Sequence, residues 1–363
     1  MAQRSCVLWR VTVLVSLLAT VYCSNVAGPA GNEQRTYRLG FSATPPRLSI
    51  ESVLATIDAW QPYADIAQVT QSVPWRALLA DTAAADLVQR DLVQLAALYR
   101  SRGLPLIVQI DVTDGLARDR EAPELVALGR SIREPDVQQR YLDYLLAVDS
   151  LLHPEYLGLA METNLVRAVA PATLYDALRS MVNTGASALA ARGSTARTFV
   201  SVQVETAWGR LPATGTFEGI AADRRDFAFA EALGLSSYPF LGGFQEPADV
   251  PLDYYARLNA PGDEPLPLLV VEGGWSSASV AGVTSSPERQ AAWIRRQMEL
   301  ADSAGAIAVT QITFTDLDLS TYPAPPGSIL PLFAHLGLVD TDFAPKPALG
   351  EWARAMTRPL ANP

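Results

Sequence analysis

From Thr36 onward, short apolar runs alternate with longer segments whose apolar residues recur at helical spacing. That rhythm belongs to βα units repeated around a parallel sheet. The runs predict strands over 37–42, 66–70, 106–112, 156–160, 198–204, 233–237, 268–271 and 307–314. Eight such units across 36–358 predict a single closed (β/α)8 barrel, a TIM barrel of the α/β class. Between the runs, 87–99 reads as one helix stopped by Gly103, and Val137, Tyr141, Tyr144, Leu145, Val148 and Leu152 form the apolar stripe of another. Ser285-Ser286-Pro287-Glu288 has the form of a helix start with proline in the first turn, and that helix should end near Gly305. A last helix is expected over 345–356, and Trp60, Trp293 and Trp352, all on helical segments, are expected to pack inward. The proline- and glycine-containing stretches 211–216, 240–251, 260–267 and 322–328 fall between consecutive elements, so they read as loops and no linker divides the barrel. An open doubly wound sheet is the competing architecture. Against it, the first strand is followed by Ser42-Ala43-Thr44-Pro45-Pro46 and not by a glycine-rich phosphate loop.

The first residues break the rhythm. Arg4 gives a positive start, 11–21 is almost wholly apolar, and small or polar residues follow at 24–31. This is the grammar of an export signal, so 1–30 is expected to be a signal peptide or leader and the protein secreted or attached to the cell envelope. The apolar run is shorter than the roughly 20 residues a membrane span needs. Membrane association is therefore expected only if the leader is retained or lipidated at Cys23, where Val21 and Tyr22 stand in place of the small residues that lipid attachment favours. Cys6 and Cys23 are the only cysteines and both lie in the leader, which leaves core burial to hold the mature domain.

A formal net charge of −10 argues against a polyanionic partner, since nucleic-acid binding rests on clustered lysine and arginine. A neutral or cationic substrate fits the charge better, and a monomer is expected. The two histidines, His153 and His335, have no paired spacing, so neither a metal nor another cofactor is expected.

Barrel chemistry is assembled from the C-terminal ends of the strands and the loops beyond them. There the chain is acidic and aromatic: Asp111 and Asp114 after the third run, Glu162 after the fourth, Glu205 after the fifth, Glu272 after the seventh, and Asp316 and Asp318 after the eighth, with Trp75, Trp208 and Trp275 on nearby loops. Carboxylates with flat aromatic faces suit a sugar, whose C–H face stacks on rings while its hydroxyls bind acids and amides. Glycosidic cleavage needs one carboxyl to protonate the departing oxygen and a second to attack the anomeric carbon or activate water. Glu162 and Glu272, each ending an apolar run, are the candidate pair. Glu205 reads either as a substrate contact or as part of the barrel's polar upper layer, and Trp75, Trp208 and Trp275 either as sugar platforms or as loop packing. Asp111-Val112-Thr113-Asp114-Gly115 also reads as an ordinary turn and is not assigned a catalytic role.

The order of Glu162-Thr163-Asn164, Leu235-Ser236-Ser237-Tyr238-Pro239-Phe240 and Val271-Glu272-Gly273-Gly274-Trp275 along the runs resembles the retaining glycosidases of glycoside hydrolase clan A, in motif especially the family 53 endo-β-1,4-galactanases. The resemblance implies Glu162 as acid/base, Glu272 as nucleophile, Tyr238 in contact with the nucleophile, and Asn164 among the substrate-binding residues. The clan places an asparagine before its acid/base, where this chain has Met161, and a tryptophan on the eighth strand, where it has Phe314-Thr315-Asp316. The Met161 departure leaves a second expectation open, a carbohydrate-binding barrel that has lost turnover.

Overall fold

The computed structural model describes residues 34–361 except 260–263, 281 and 324–326. The expected leader over 1–30 lies outside the described residues. Eight parallel strands close into one barrel in sequence order. They are β1 Arg38–Ser42, β2 Ile66–Ser72, β3 Leu106–Asp111, β4 Tyr156–Gly158, β5 Arg197–Gln203, β6 Ala232–Ser237, β7 Leu268–Gly273 and β8 Ala308–Gln311. Closure is completed by β8 pairing with β1 through Arg38 to Phe41. Among the described residues no helix is long and apolar enough to cross a membrane.

The barrel interior is layered by the period-two alternation of strand side chains. A lower apolar layer contains Ile66, Ile107, Tyr156, Phe199, Leu269 and Val271. The Phe199 ring fits because its neighbours lack side chains: a Cβ on Gly158 would lie 2.7 Å from that ring, and one on Gly234 2.9 Å from it. Two residues higher, Gln68 and Gln109 replace the apolar layer with amides, and both are buried. Outside the strands, helices seal a far larger core in which Trp60, Trp293 and Trp352 are fully buried.

Helix boundaries follow local chemistry. Ser286 caps Pro287–Ala304 by accepting from the Arg289 amide at 3.3 Å, and left-handed Gly305 ends that helix. Helix Pro135–Leu152 buries the expected stripe, and the last helix is Pro347–Met356. The helix expected over 87–99 is two, Ala84–Asp91 and Val93–Ser101, because Leu92 leaves helical geometry at φ −125°. The fourth and eighth runs are longer than their strands. The named strand β4 ends at Gly158, but Leu159 and Ala160 still bond to β5 before the chain turns to a left-handed residue at Glu162.

Adding one methyl beside Phe199 tests this layering. Gly158→Ala should cost about 1–3 kcal/mol by overpacking. Urea unfolding of the Phe199→Leu background should show a smaller cost for the same change. Equal costs in the two backgrounds would mean that the ring does not impose the glycine.

Candidate active site

Glu162 occupies the point where β4 becomes helix Thr163–Val169, with φ 48° and ψ 45°. A non-glycine residue held there costs of order 1–3 kcal/mol and persists only when its surroundings over-determine it. They do so here. The Glu162 amide donates to Ser201 Oγ at 3.0 Å. Its Oε1 accepts from Ser236 Oγ at 2.7 Å and its Oε2 from Arg118 Nε at 2.8 Å. Asn164 ties the following turn to β5, since its Nδ2 donates to the Gln203 carbonyl at 2.8 Å and its Oδ1 accepts from the Gln203 amide at 2.7 Å. With 1% of its surface exposed, Asn164 has its amide spent on backbone. The expected substrate contact is corrected to a structural brace.

Glu272 comes from β7 by way of a bulge. Leu235 pairs with Val270, but the next residue, Ser236, pairs with Glu272. A bulge inserts one residue into the strand and re-aims the side chains beyond it, so Glu272 shares the face of Ser236, the residue bonded to Glu162. Val271, the inserted residue, has its carbonyl taken by Gln68 Nε2 at 2.7 Å and Gln109 Nε2 at 3.3 Å. The upper amide layer thus supports the bulge. Just beyond, Gly273 has φ 156°, and a Cβ there would lie 2.6 Å from the Ser237 carbonyl oxygen. Tyr238, at the end of β6, donates its hydroxyl to Glu272 Oε1 at 2.8 Å. Glu272 Oε2 has no partner among the described residues.

The structure therefore brings Glu162, Glu272 and Tyr238 together. Burial, and next the Glu162 charge, push the Glu272 carboxyl from its ordinary 4.5 up to about 8, while Arg118 and the Tyr238 hydroxyl pull the other way. Burial and the neighbouring Glu272 charge hold the Tyr238 phenol well above its ordinary range, so it stays a hydrogen-bond donor.

Arg118 and Asp111 complete the cluster. Arg118 Nη1 donates to Asp111 Oδ1 at 2.6 Å and to Thr113 Oγ1 at 3.0 Å, and only 5% of the residue is exposed. The sequence reading misses Arg118 altogether and sets Asp111 aside as a turn residue. The available signal was an acid ending the third run with an arginine seven residues later in the loop at the barrel mouth.

Other expected site residues lie elsewhere. Glu205 is fully buried and accepts from the Tyr238 amide at 3.0 Å, the Tyr254 hydroxyl at 3.0 Å and Ser237 Oγ at 3.3 Å. Burial pushes its carboxyl up to about 7. It underpins Tyr238 and is closed to solvent, so of its two readings the polar interior layer holds. Trp75 starts helix Trp75–Leu79 and Trp275 packs between Phe240 and Trp293, each with 1% exposure. Neither offers a face to a sugar, which corrects the platform expectation for both. Trp208 is partly exposed beside a cavity of about 480 Å³. Its ring stacks on Tyr254 at 4.9 Å, and the Arg257 guanidinium lies over it at 5.1 Å. Among the described residues, no three His, Cys, Asp or Glu side chains are grouped so as to hold a metal ion.

No protein-family model matches the chain. No curated protein matches it in sequence. Solved structures do match its fold. The exo-β-1,4-mannosidase of Opitutaceae bacterium strain TAV5 is similar over 90% of this chain at 17% identity and TM-score 0.67. The chain spans 60% of that enzyme's length. The GH5_18 protein of Streptomyces cattleya in complex with GlcNAc is similar over 91% of this chain and 83% of its own, at 19% identity and TM-score 0.62. The native xylanase 10B of Thermotoga maritima is similar over 89% of this chain and 95% of its own, at 12% identity and TM-score 0.58. These neighbours are clan A glycoside hydrolases with an eight-stranded parallel barrel, and this chain has that fold.

The raised Glu272 carboxyl makes a stability prediction. Folding moves its midpoint from about 4.5 to about 8, so between those values the folded state holds more protons than the unfolded one and a rise in pH lowers stability. The contribution is fully present below the unfolded midpoint and lost as pH rises through the folded one. Glu272→Gln should therefore match the wild type in Tm at pH 4 and exceed it at pH 8. Parallel Tm-against-pH curves would contradict the assignment.

Proposed function

We propose that this chain is a retaining glycoside hydrolase that cleaves β-glycosidic bonds of a poly- or oligosaccharide, with Glu162 as acid/base and Glu272 as nucleophile. The observation that carries the reading is the facing of two carboxyls from β4 and β7 across one barrel mouth, one held by Arg118 and Ser236 and the other by Tyr238. Low sequence identity restricts the solved neighbours to fold-level support.

In the first step the Glu272 carboxylate attacks the anomeric carbon while Glu162 gives its proton to the departing oxygen. In the second, Glu162 takes a proton from water, and that water displaces the sugar from Glu272. Near neutrality burial favours the protonated form of Glu272 before substrate binds. Attack requires Glu272 as the anion, so its proton must leave as substrate enters. Tyr238 supports the anion by donating to Oε1.

A second reading, a carbohydrate-binding barrel without turnover, is favoured by one observation. Both Glu162 oxygens already have partners, and Met161, 4% exposed, supplies no polar group beside them. Calorimetric binding of a glycan that yields no product over days would favour it. We read the protein as exported by its leader and acting as a monomer on an extracytoplasmic glycan.

Reducing-sugar release from galactan, mannan, xylan and β-glucans, followed by NMR of the fresh anomeric centre, tests the main reading. Galactan belongs in that panel because the motifs at 235–240 and 271–275 resemble family 53. On a cleaved glycan, Glu162→Gln should lower kcat by about 10²–10⁴-fold, Glu272→Gln should abolish turnover, and the first-formed product should keep the β configuration. An α product, or an active Glu272→Gln, would refute the mechanism.

A further inference from the structure

At the barrel mouth one guanidinium, that of Arg118, is held by two carboxylates and acts through space on a third, Glu272. The two that hold it come from the ends of β3 and β4, Asp111 at 2.6 Å and Glu162 at 2.8 Å. A buried arginine is tolerated only when its charge is matched, and its planar fork can grip two acids at once where a lysine ammonium acts as a point charge. Arg118 is buried to 5% exposure and uses Nε for one acid and Nη1 for the other. We propose that Arg118 is the positioning residue of this site, fixing the Glu162 carboxyl against Asp111 and supplying the positive charge under which Glu272 works as an anion. The catalytic part of this inference rests on the glycosidase reading, whereas its electrostatic part does not.

The geometric part comes from the fork. Glu162 sits on a left-handed turn, and its side chain is oriented by two contacts, Arg118 and Ser236. Because Arg118 is itself anchored to Asp111 and Thr113, the carboxyl is referenced to β3 as well as to its own strand. The electrostatic part comes from the groups that face Glu272. These are Glu162 after β4, Arg118 and Asp111 from β3 and its loop, and Tyr238 from β6. Glu162 and Asp111 oppose ionisation of Glu272, and Arg118 and Tyr238 favour it, with Arg118 acting more strongly than Tyr238. Without the guanidinium, Glu272 would hold its proton to higher pH and the attacking carboxylate would be scarcer.

The test is an NMR titration of the full protein carrying ¹³C-carboxyl glutamate, with the Glu272 signal assigned by its loss in Glu272→Gln. Arg118→Met should raise the Glu272 midpoint by about one unit or more. Arg118→Lys, which keeps the charge and loses the fork, should leave that midpoint near the wild-type value while lowering kcat at least tenfold at little-changed KM on any cleaved glycan. If Arg118→Met does not fold, the double variant D111N/R118M removes the buried charge together with its counter-charge. Its midpoint should still rise, because Arg118 outweighs Asp111 at Glu272. An unmoved or lowered midpoint in the folded variant overturns the proposal, and so does an undiminished kcat in Arg118→Lys. The titration needs no substrate, so a chain that cleaves no glycan would refute the glycosidase reading while the midpoint still decides the role of Arg118.

Discussion

A buried carboxylate, Glu162, and a half-buried one, Glu272, repel at the barrel mouth, and desolvation adds to the cost of ionising Glu272. The upper half of this barrel is arranged around that constraint. On the β4 side, Glu162 is met by a guanidinium and a serine hydroxyl. On the β7 side, Glu272 is met by a phenol that burial keeps protonated. The inequality between the two settings matters more than either alone, because two carboxyls with different tasks must be distinguished by their surroundings.

Support for this arrangement runs outward through groups that never face the mouth. Glu205 accepts from the Tyr238 amide and from Tyr254, and the Trp208 indole in turn donates to the Tyr254 carbonyl at 2.9 Å. The brace by which Asn164 joins the turn after Glu162 to β5 does the same on the other side. Below, Gln68 and Gln109 satisfy the carbonyl that the β7 bulge releases. Residues locked in this way hold the proposed pair within the narrow tolerances that bond cleavage demands. A loose mouth would bind a sugar without aligning it.

The architecture was legible because hydrophobic period reports burial directly. Eight apolar runs became eight strands, and the stripe from Val137 to Leu152 became one face of a helix. Glu162 and Glu272 were candidates because each follows an apolar run, the place where a barrel exposes its chemistry, whereas Tyr238 entered only through the clan A resemblance. Trp75 and Trp275 share that position yet are buried, since following a strand says nothing about what later covers a ring. Arg118 was invisible for a different reason. It lies on a loop with no period, and its meaning comes from Asp111 and from Glu162, 44 residues away in sequence. The bulge at Val271 was equally hidden, because register between β6 and β7 is a property of the pair and of neither strand.

The central claim is that Glu272 forms a bond to sugar, and covalent trapping tests it most directly. The protein would be incubated with 2-deoxy-2-fluoro glycosides of glucose, mannose, galactose and xylose bearing a dinitrophenolate leaving group, then digested and mapped by mass spectrometry. The account predicts one fluoroglycosyl adduct, on the peptide containing Glu272 and on that residue's carboxyl. An adduct on Glu162, or release of dinitrophenolate from one of these glycosides with no adduct on the protein, would contradict it.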